Sequence, residues 1–141
     1  MEWLSNLIDY GVIGLLIVLC FVAVMLAVER ALFYKKTDPS AYKSRKELEL
    51  ALSKNLPFIG TVASNAPYIG LLGTVLGIML TFYKVGVTGN IEAGEIMVSL
   101  SLALKATAVG LVVAIVAVVL FNALNGSARK MLIRWDIHNE G

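Results

Sequence analysis

The run NLPFIGTVASNAPYIGLLGTVLGIMLTFY, from Asn55 to Tyr83, holds 29 residues without one charge and stops at Lys84. A helix on the surface of a soluble protein carries a polar face. This run has none, so its surroundings must be apolar on every side. About 20 apolar residues cross the ~30 Å hydrocarbon core of a bilayer. With more than that, the helix should tilt or protrude at one end. Pro57 and Pro67 lie in its first half, where a kink or protrusion is expected.

Two further runs flank it. Tyr10 to Val28 is uncharged, ends at Glu29-Arg30 and is followed by Lys35 and Lys36. Glu2 and Asp9 precede it and nothing basic does, whereas a cleaved signal peptide begins with positive charge. It reads as a permanent span. Leu16-Ile17-Val18-Leu19-Cys20 loosely resembles a lipoprotein processing site, but bulky Val18 and Leu19 stand where such sites need small residues. The third run, Ile96 to Ala128, is interrupted once by Lys105 and closes at Arg129-Lys130.

The composition agrees. The 141 residues are 58% hydrophobic and 16% charged, and the mean hydropathy is +0.80, which excludes most soluble enzymes. A net charge of +2 with no basic run interleaved with aromatics gives no footprint for nucleic acid. Cys20 is the only cysteine, so no internal disulfide can form. His138 is the only histidine, which excludes a His-Glu-x-x-His zinc helix and a histidine-based triad. The glycines of Gly70 to Gly77 lack the Gly-Lys-Ser/Thr ending of a phosphate loop. No catalytic residue, metal or cofactor is expected, and the chain does not read as an enzyme.

Basic residues are retained on the cytoplasmic side of a membrane. Seven lie between Arg30 and Lys54 and three between Arg129 and Arg134, against one, Lys84, between the second and third runs. The expected architecture is all-α, an integral membrane protein with its N-terminus outside and its C-terminus inside. Its single domain divides into span 1 (7–28), a cytoplasmic segment (29–55), span 2 (56–83), an outer loop (84–95), span 3 (96–128) and a tail (129–141). The second and third helices are long and extend into the cytoplasm. In the cytoplasmic segment Asp38-Pro39 predicts a turn, and Ala41 to Asn55 a short amphipathic helix. Its basic charges suit lipid headgroups, or else a regulator. Gly86, Gly89 and Gly94, with Thr88 and Asn90, carry turn chemistry in the outer loop.

Within the spans, Gly70, Gly73 and Gly77 share one face, and Ala103, Ala106, Gly110 and Ala114 repeat the device on the third. Such stripes let helix backbones approach closely. Thr74 and Thr81 are seven apart and Thr107 lies mid-stripe, so these hydroxyls either line a pore or bond their own i−4 carbonyls. A proton relay through lipid needs an ionisable group, yet neither the second nor the third span contains Asp or Glu. Asp9 sits at the outer end of the first. Lys105 lies about 200° from Thr107 around the helix. It either snorkels to headgroups or pairs with a partner's carboxylate.

The stretch Ser64-Asn65-Ala66-Pro67-Tyr68-Ile69-Gly70-Leu71-Leu72-Gly73-Thr74-Val75-Leu76-Gly77-Ile78-Met79 resembles the second-span signature of the MotA/TolQ/ExbB proton-channel family, most closely its ExbB-type members. Ala103-Leu104-Lys105-Ala106-Thr107-Ala108-Val109-Gly110-Leu111, through Ala114-Ile115 to Phe121-Asn122, is similar to the third-span signature. The resemblance implies a multi-pass subunit of a motor in the bacterial inner membrane. Such subunits form a homo-oligomeric ring, a pentamer in the better-known cases, whose second and third helices line a channel. A single-span ExbD- or TolR-like partner supplies the membrane aspartate, and a TonB- or TolA-like protein carries the work to the outer membrane. By this resemblance Thr74 and Thr107 line the proton path, with Thr81 and Lys105 as further candidates.

Three departures stand out. Leu102 occupies the place of a family glutamate, Ala114-Ile115-Val116-Ala117 replaces Ala-Ile-Pro-Ala, and the cytoplasmic segment is short. The main expectation is an ExbB-like role in energising nutrient uptake. The alternatives are a TolQ-like role in envelope maintenance and a non-conducting membrane scaffold.

Overall fold

Hydropathy reports the solvent around a helix, and a helix does not stop where its solvent changes. Each long helix therefore outruns its uncharged stretch. The computed structural model describes residues 2–89 and 91–140, with the side chain of Glu2 left aside; Asn90, one of the expected turn residues, lies outside the described residues. Helix α1 spans Glu2–Lys36, α2 Arg45–Ser53, α3 Leu56–Thr88 and α4 Ala93–Glu140, with a 3-10 turn at Pro39–Ala41. The described residues are all-helical. Three of the helices are long and apolar enough to cross a membrane.

α1 continues past Glu29-Arg30 to Lys36. α3 continues through Lys84 and Gly86 to Thr88 and ends where Gly89 takes φ +68°, its N–H bonding the Val85 carbonyl at 2.9 Å. That left-handed stop is a glycine C-cap. Of the three loop glycines it alone does turn work, since Gly86 and Gly94 are helical. The connection between α3 and α4 is accordingly much shorter than 84–95. Pro57 stands in the first turn of α3, where its missing N–H costs nothing, and the helix is continuous through Pro67. α4 has 48 residues, about 72 Å at 1.5 Å per residue. No bilayer contains that length; residues 129–140 continue the third helix beyond its uncharged stretch.

The segment after α1 is more compact than an amphipathic helix over Ala41 to Asn55 would be. Asp38 accepts from the Ser40 N–H at 3.0 Å and caps the 3-10 turn, and Ser44 caps α2 by accepting from the Lys46 N–H at 3.2 Å. Asn55, in the left-handed region at φ 67°, turns the chain from α2 into α3.

α3 and α4 share the largest helix interface, and α1 packs across both. The buried residues fall into two clusters. One, in mid-bundle, joins Leu16 and Ala23 of α1 to Val62 and Ala66 of α3 and to Val113, Ala114 and Ala117 of α4. The other gathers Leu48 and Leu52 of α2 with Tyr34, Leu56, Ile59, Leu124 and Met131. Outside these, large apolar side chains such as Phe21, Tyr68, Phe82, Val112 and Ile115 stand exposed. That is the surface of a protein whose solvent is lipid or further copies of itself.

Candidate functional site

The site grows from the closest approach in the molecule. A Cβ placed on Gly70 would lie 2.6 Å from the Ala106 carbonyl oxygen and 3.1 Å from the Gly110 Cα. One on Gly110 would lie 2.7 Å from the Ala66 carbonyl oxygen. Both distances are shorter than any real contact, so α3 and α4 cross backbone to backbone here. The seam continues upward on small groups: a Cβ on Gly73 would meet Ala106 and Val12, each at 2.9 Å, and one on Gly77 would meet the Ala103 Cβ at 2.8 Å. Ala114 is buried in the mid-bundle cluster below the crossing.

Such proximity brings two hydroxyls together. Thr74, 5% exposed, donates to the Ala103 carbonyl of α4 at 2.9 Å, with its own Gly70 carbonyl farther away at 3.3 Å. Its oxygen also meets the Thr107 hydroxyl. A hydroxyl has one proton to give. If Thr74 gives its proton to Ala103, Thr107 is left to donate to Thr74. The result is an interhelical clamp, α4 to α3 and back to α4, in which the bond across the helices is shorter than the local i−4 bond.

Thr81 behaves differently. Its hydroxyl donates to Gly77 of its own helix at 2.9 Å, and the Gly77–Ala103 contact separates it from the clamp. Above that contact Thr81 faces a narrow cleft with Asp9, Lys84 and Ser99. Lys105 is exposed and shares a second cleft with Asp9, Tyr10 and Leu102. The four polar candidates therefore separate into a hydrogen-bonded pair, buried Thr74 and half-buried Thr107, and two groups outside it, buried Thr81 and exposed Lys105.

Asp9 is the residue that the sequence undervalues. Placed at the end of the first run it looks peripheral, yet helix packing sets it between the Thr81 cleft and the Lys105 cleft. Its signal is a carboxylate immediately before an apolar run, which cannot be told from a headgroup-level anchor without knowing which helix lies opposite. Arg30 is the other such residue. It is 3% exposed, bonds the Ala51 carbonyl at 2.8 Å, pairs with Glu29 and lies 4.3 Å from the centre of the Phe33 ring. In the sequence it counts only as one more basic charge.

Chemically, the clamp offers hydroxyls and carbonyls but no group that ionises near neutral pH. It can orient and hydrogen-bond a proton carrier. It cannot be one.

The profile of the MotA/TolQ/ExbB proton channel family matches residues 21–137. The chain is 52% identical over 141 residues to the biopolymer transport protein ExbB of Aquifex aeolicus, covering 99% of this chain and 95% of that protein. It is 47% identical over 134 residues to the putative biopolymer transport protein ExbB-like 2 of Helicobacter pylori, covering 95% and 89%. With the Tol-Pal system protein TolQ of Pseudomonas aeruginosa it shares 38% over 92 residues, covering 65% of this chain and 39% of that one.

Proposed function

The chain belongs to the MotA/TolQ/ExbB proton channel family, and from that premise we propose that it is an ExbB-like subunit of a motor in the bacterial inner membrane. Copies of it form a ring, a pentamer by family likeness, with α3 and α4 facing the central passage. A single-span, ExbD-like partner contributes the membrane aspartate, and a TonB-like protein delivers the work to outer-membrane transporters. The basic segment around α2 and the end of α4 face the cytoplasm, in accord with the excess of Lys and Arg there. The subunit makes and breaks no covalent bonds.

One observation carries this reading. The polar centre of the α3/α4 seam is the Thr74–Thr107 clamp, and neither helix brings an acid to that level. A proton crossing lipid needs an ionisable group; this reading assigns that group to another chain and gives the clamp the role of hydrogen-bonding it. The Gly77–Ala103 contact supports the same division, because it closes the α3/α4 seam of one copy at that level. The near full-length likeness to ExbB proteins, against the partial one to TolQ, favours the ExbB role over the TolQ role.

The test is proton flux into proteoliposomes holding the chain together with its ExbD-like partner. Thr107→Val should lower flux about tenfold, the effect of removing a hydrogen bond worth about 1.4 kcal/mol from the rate-limiting step, while the ring stays assembled. Unchanged flux in Thr107→Val and Thr74→Val would remove the clamp from the proton path. No flux from the unmodified pair would favour a passive scaffold.

A further inference from the structure

The α1/α4 seam carries two cavities on the side away from the α3/α4 crossing. The one near the basic end has a volume of about 430 Å³. Lys35 of α1 and Lys130 and Arg134 of α4 line it, with Ser127 beside them and Leu124 and Met131 beneath. No acid lines it, and among the described residues none of the three cations closes an ion pair. The hydroxyls of Tyr34 and Thr37 at the rim are committed to the Leu52 and Phe33 carbonyls. The cavity thus presents three uncompensated positive charges over an apolar floor.

Farther into the span the same seam carries the second cavity, of about 590 Å³ and lined entirely by apolar groups, among them Ile17, Phe21, Val24, Ala108 and Val112. The two cavities share one stripe on each helix. On α1 residues 17, 21, 24, 31 and 35 fall within about 80° of one another, and on α4 residues 108, 112, 127, 130 and 134 within about 100°. Val24 and Lys35 are 11 positions apart, about 16 Å along the helix, close to half of a ~30 Å hydrocarbon core. A cationic mouth at the membrane surface leads into an apolar trough that reaches mid-bilayer.

We propose that this seam binds one acidic phospholipid from the leaflet on the basic side, its phosphate held by Lys35, Lys130 and Arg134 and an acyl chain laid along the trough between α1 and α4. A zwitterionic lipid would bring a positive charge of its own to a site that already holds three. A free phosphate would leave the trough unfilled. An apolar helix of another copy would cover the trough and leave the cations unmatched.

The experiment is native mass spectrometry of the full-length oligomer released from nanodiscs of phosphatidylglycerol or of phosphatidylcholine. The unmodified chain should retain phosphatidylglycerol in preference to phosphatidylcholine by on the order of tenfold, as expected for several basic residues acting on one anionic headgroup. K35Q/K130Q/R134Q should abolish that preference. Ala108→Phe, which keeps every cation and fills the trough at an exposed position, should lower retention of both lipids. Equal retention of the two lipids by the unmodified chain would overturn the proposal, as would undiminished phosphatidylglycerol on both variants. So would thermal protection by inorganic phosphate equal to that by phosphatidylglycerol. A photoreactive benzoylphenylalanine in place of Phe21 should cross-link to lipid; cross-linking to a second copy instead would assign the seam to the ring interface.

Discussion

Around Gly70 and Gly110 the helices meet through groups so small that a single added carbon would strike a backbone atom. About 20 to 40 Å away by helical rise, around Arg30 and Trp135, α1, α2 and α4 are joined by long side chains. There Arg30 and Tyr34 of α1 reach the Ala51 and Leu52 carbonyls of α2, carbonyls that a helix C-terminus leaves without partners. Trp135 of α4 donates to the Tyr42 carbonyl at 2.9 Å, and Asp136 accepts from Arg45 at 3.2 Å. In lipid, association gains nothing from hiding apolar surface, so close packing and a few interhelical hydrogen bonds must hold the helices together. Where water is present, burying Leu48 and Leu52 gives a hydrophobic gain, and polar groups must find partners to be buried at all. The difference separates the clamp region, which tolerates no bulk, from the α2 region, which tolerates no lost partner.

The comparison breaks most easily at the crossing. Gly70→Leu should destabilise the bundle by about 3 kcal/mol or more, since its Cβ meets a carbonyl oxygen that cannot move aside. A lost or sharply lowered thermal transition in detergent would show it, and a normal transition would contradict the backbone contact. Next comes Arg30→Met, which keeps most of the side-chain volume but leaves the Ala51 carbonyl without its donor. The cost should be about 1–3 kcal/mol, read as early proteolysis between Thr37 and Asn55 while the spans stay intact.

The hydroxyls give a smaller and sharper test. Thr74→Val and Thr107→Val should show a coupling in a double-mutant cycle of about 0.6 kcal/mol, the usual size of an interhelical hydrogen bond in lipid. Thr81→Val should show none with either, because Thr81 bonds its own helix. The smallest effect belongs to Asp38. The Ser40 side chain, followed by the Ser40 backbone N–H, holds its carboxyl below the usual range. A lowered pKa gives stability that is complete above the unfolded value and is lost as pH falls through the folded one. Asp38→Asn should therefore lower stability slightly at neutral pH, leave it unchanged in acid and so flatten the acid limb of the stability profile.

The three long apolar helices were legible because lipid imposes one rule on the whole of Asn55 to Tyr83: no charge in any direction. The glycine and alanine stripes were legible for a related reason, since spacing alone puts them on one face. Their partners were not. Nothing in the chain's order says that Gly70 meets Gly110, that Thr74 bonds Ala103 more closely than its own Gly70, or that Thr81 stays on its own helix. Those outcomes depend on the crossing point of two helices, which is settled by contacts between residues some 40 positions apart. The helices run on past Lys84 and Arg129 because hydropathy changes there and backbone hydrogen bonding does not.

By itself, then, the sequence determined the solvent, the number of apolar helices and the absence of an acid from the second and third runs, because each follows from composition along a single stretch. Tertiary structure alone decided which hydroxyls pair, that Asp9 stands between two clefts and that Arg30 closes the end of α2. Those are relations between helices, and only packing brings their members within hydrogen-bonding distance.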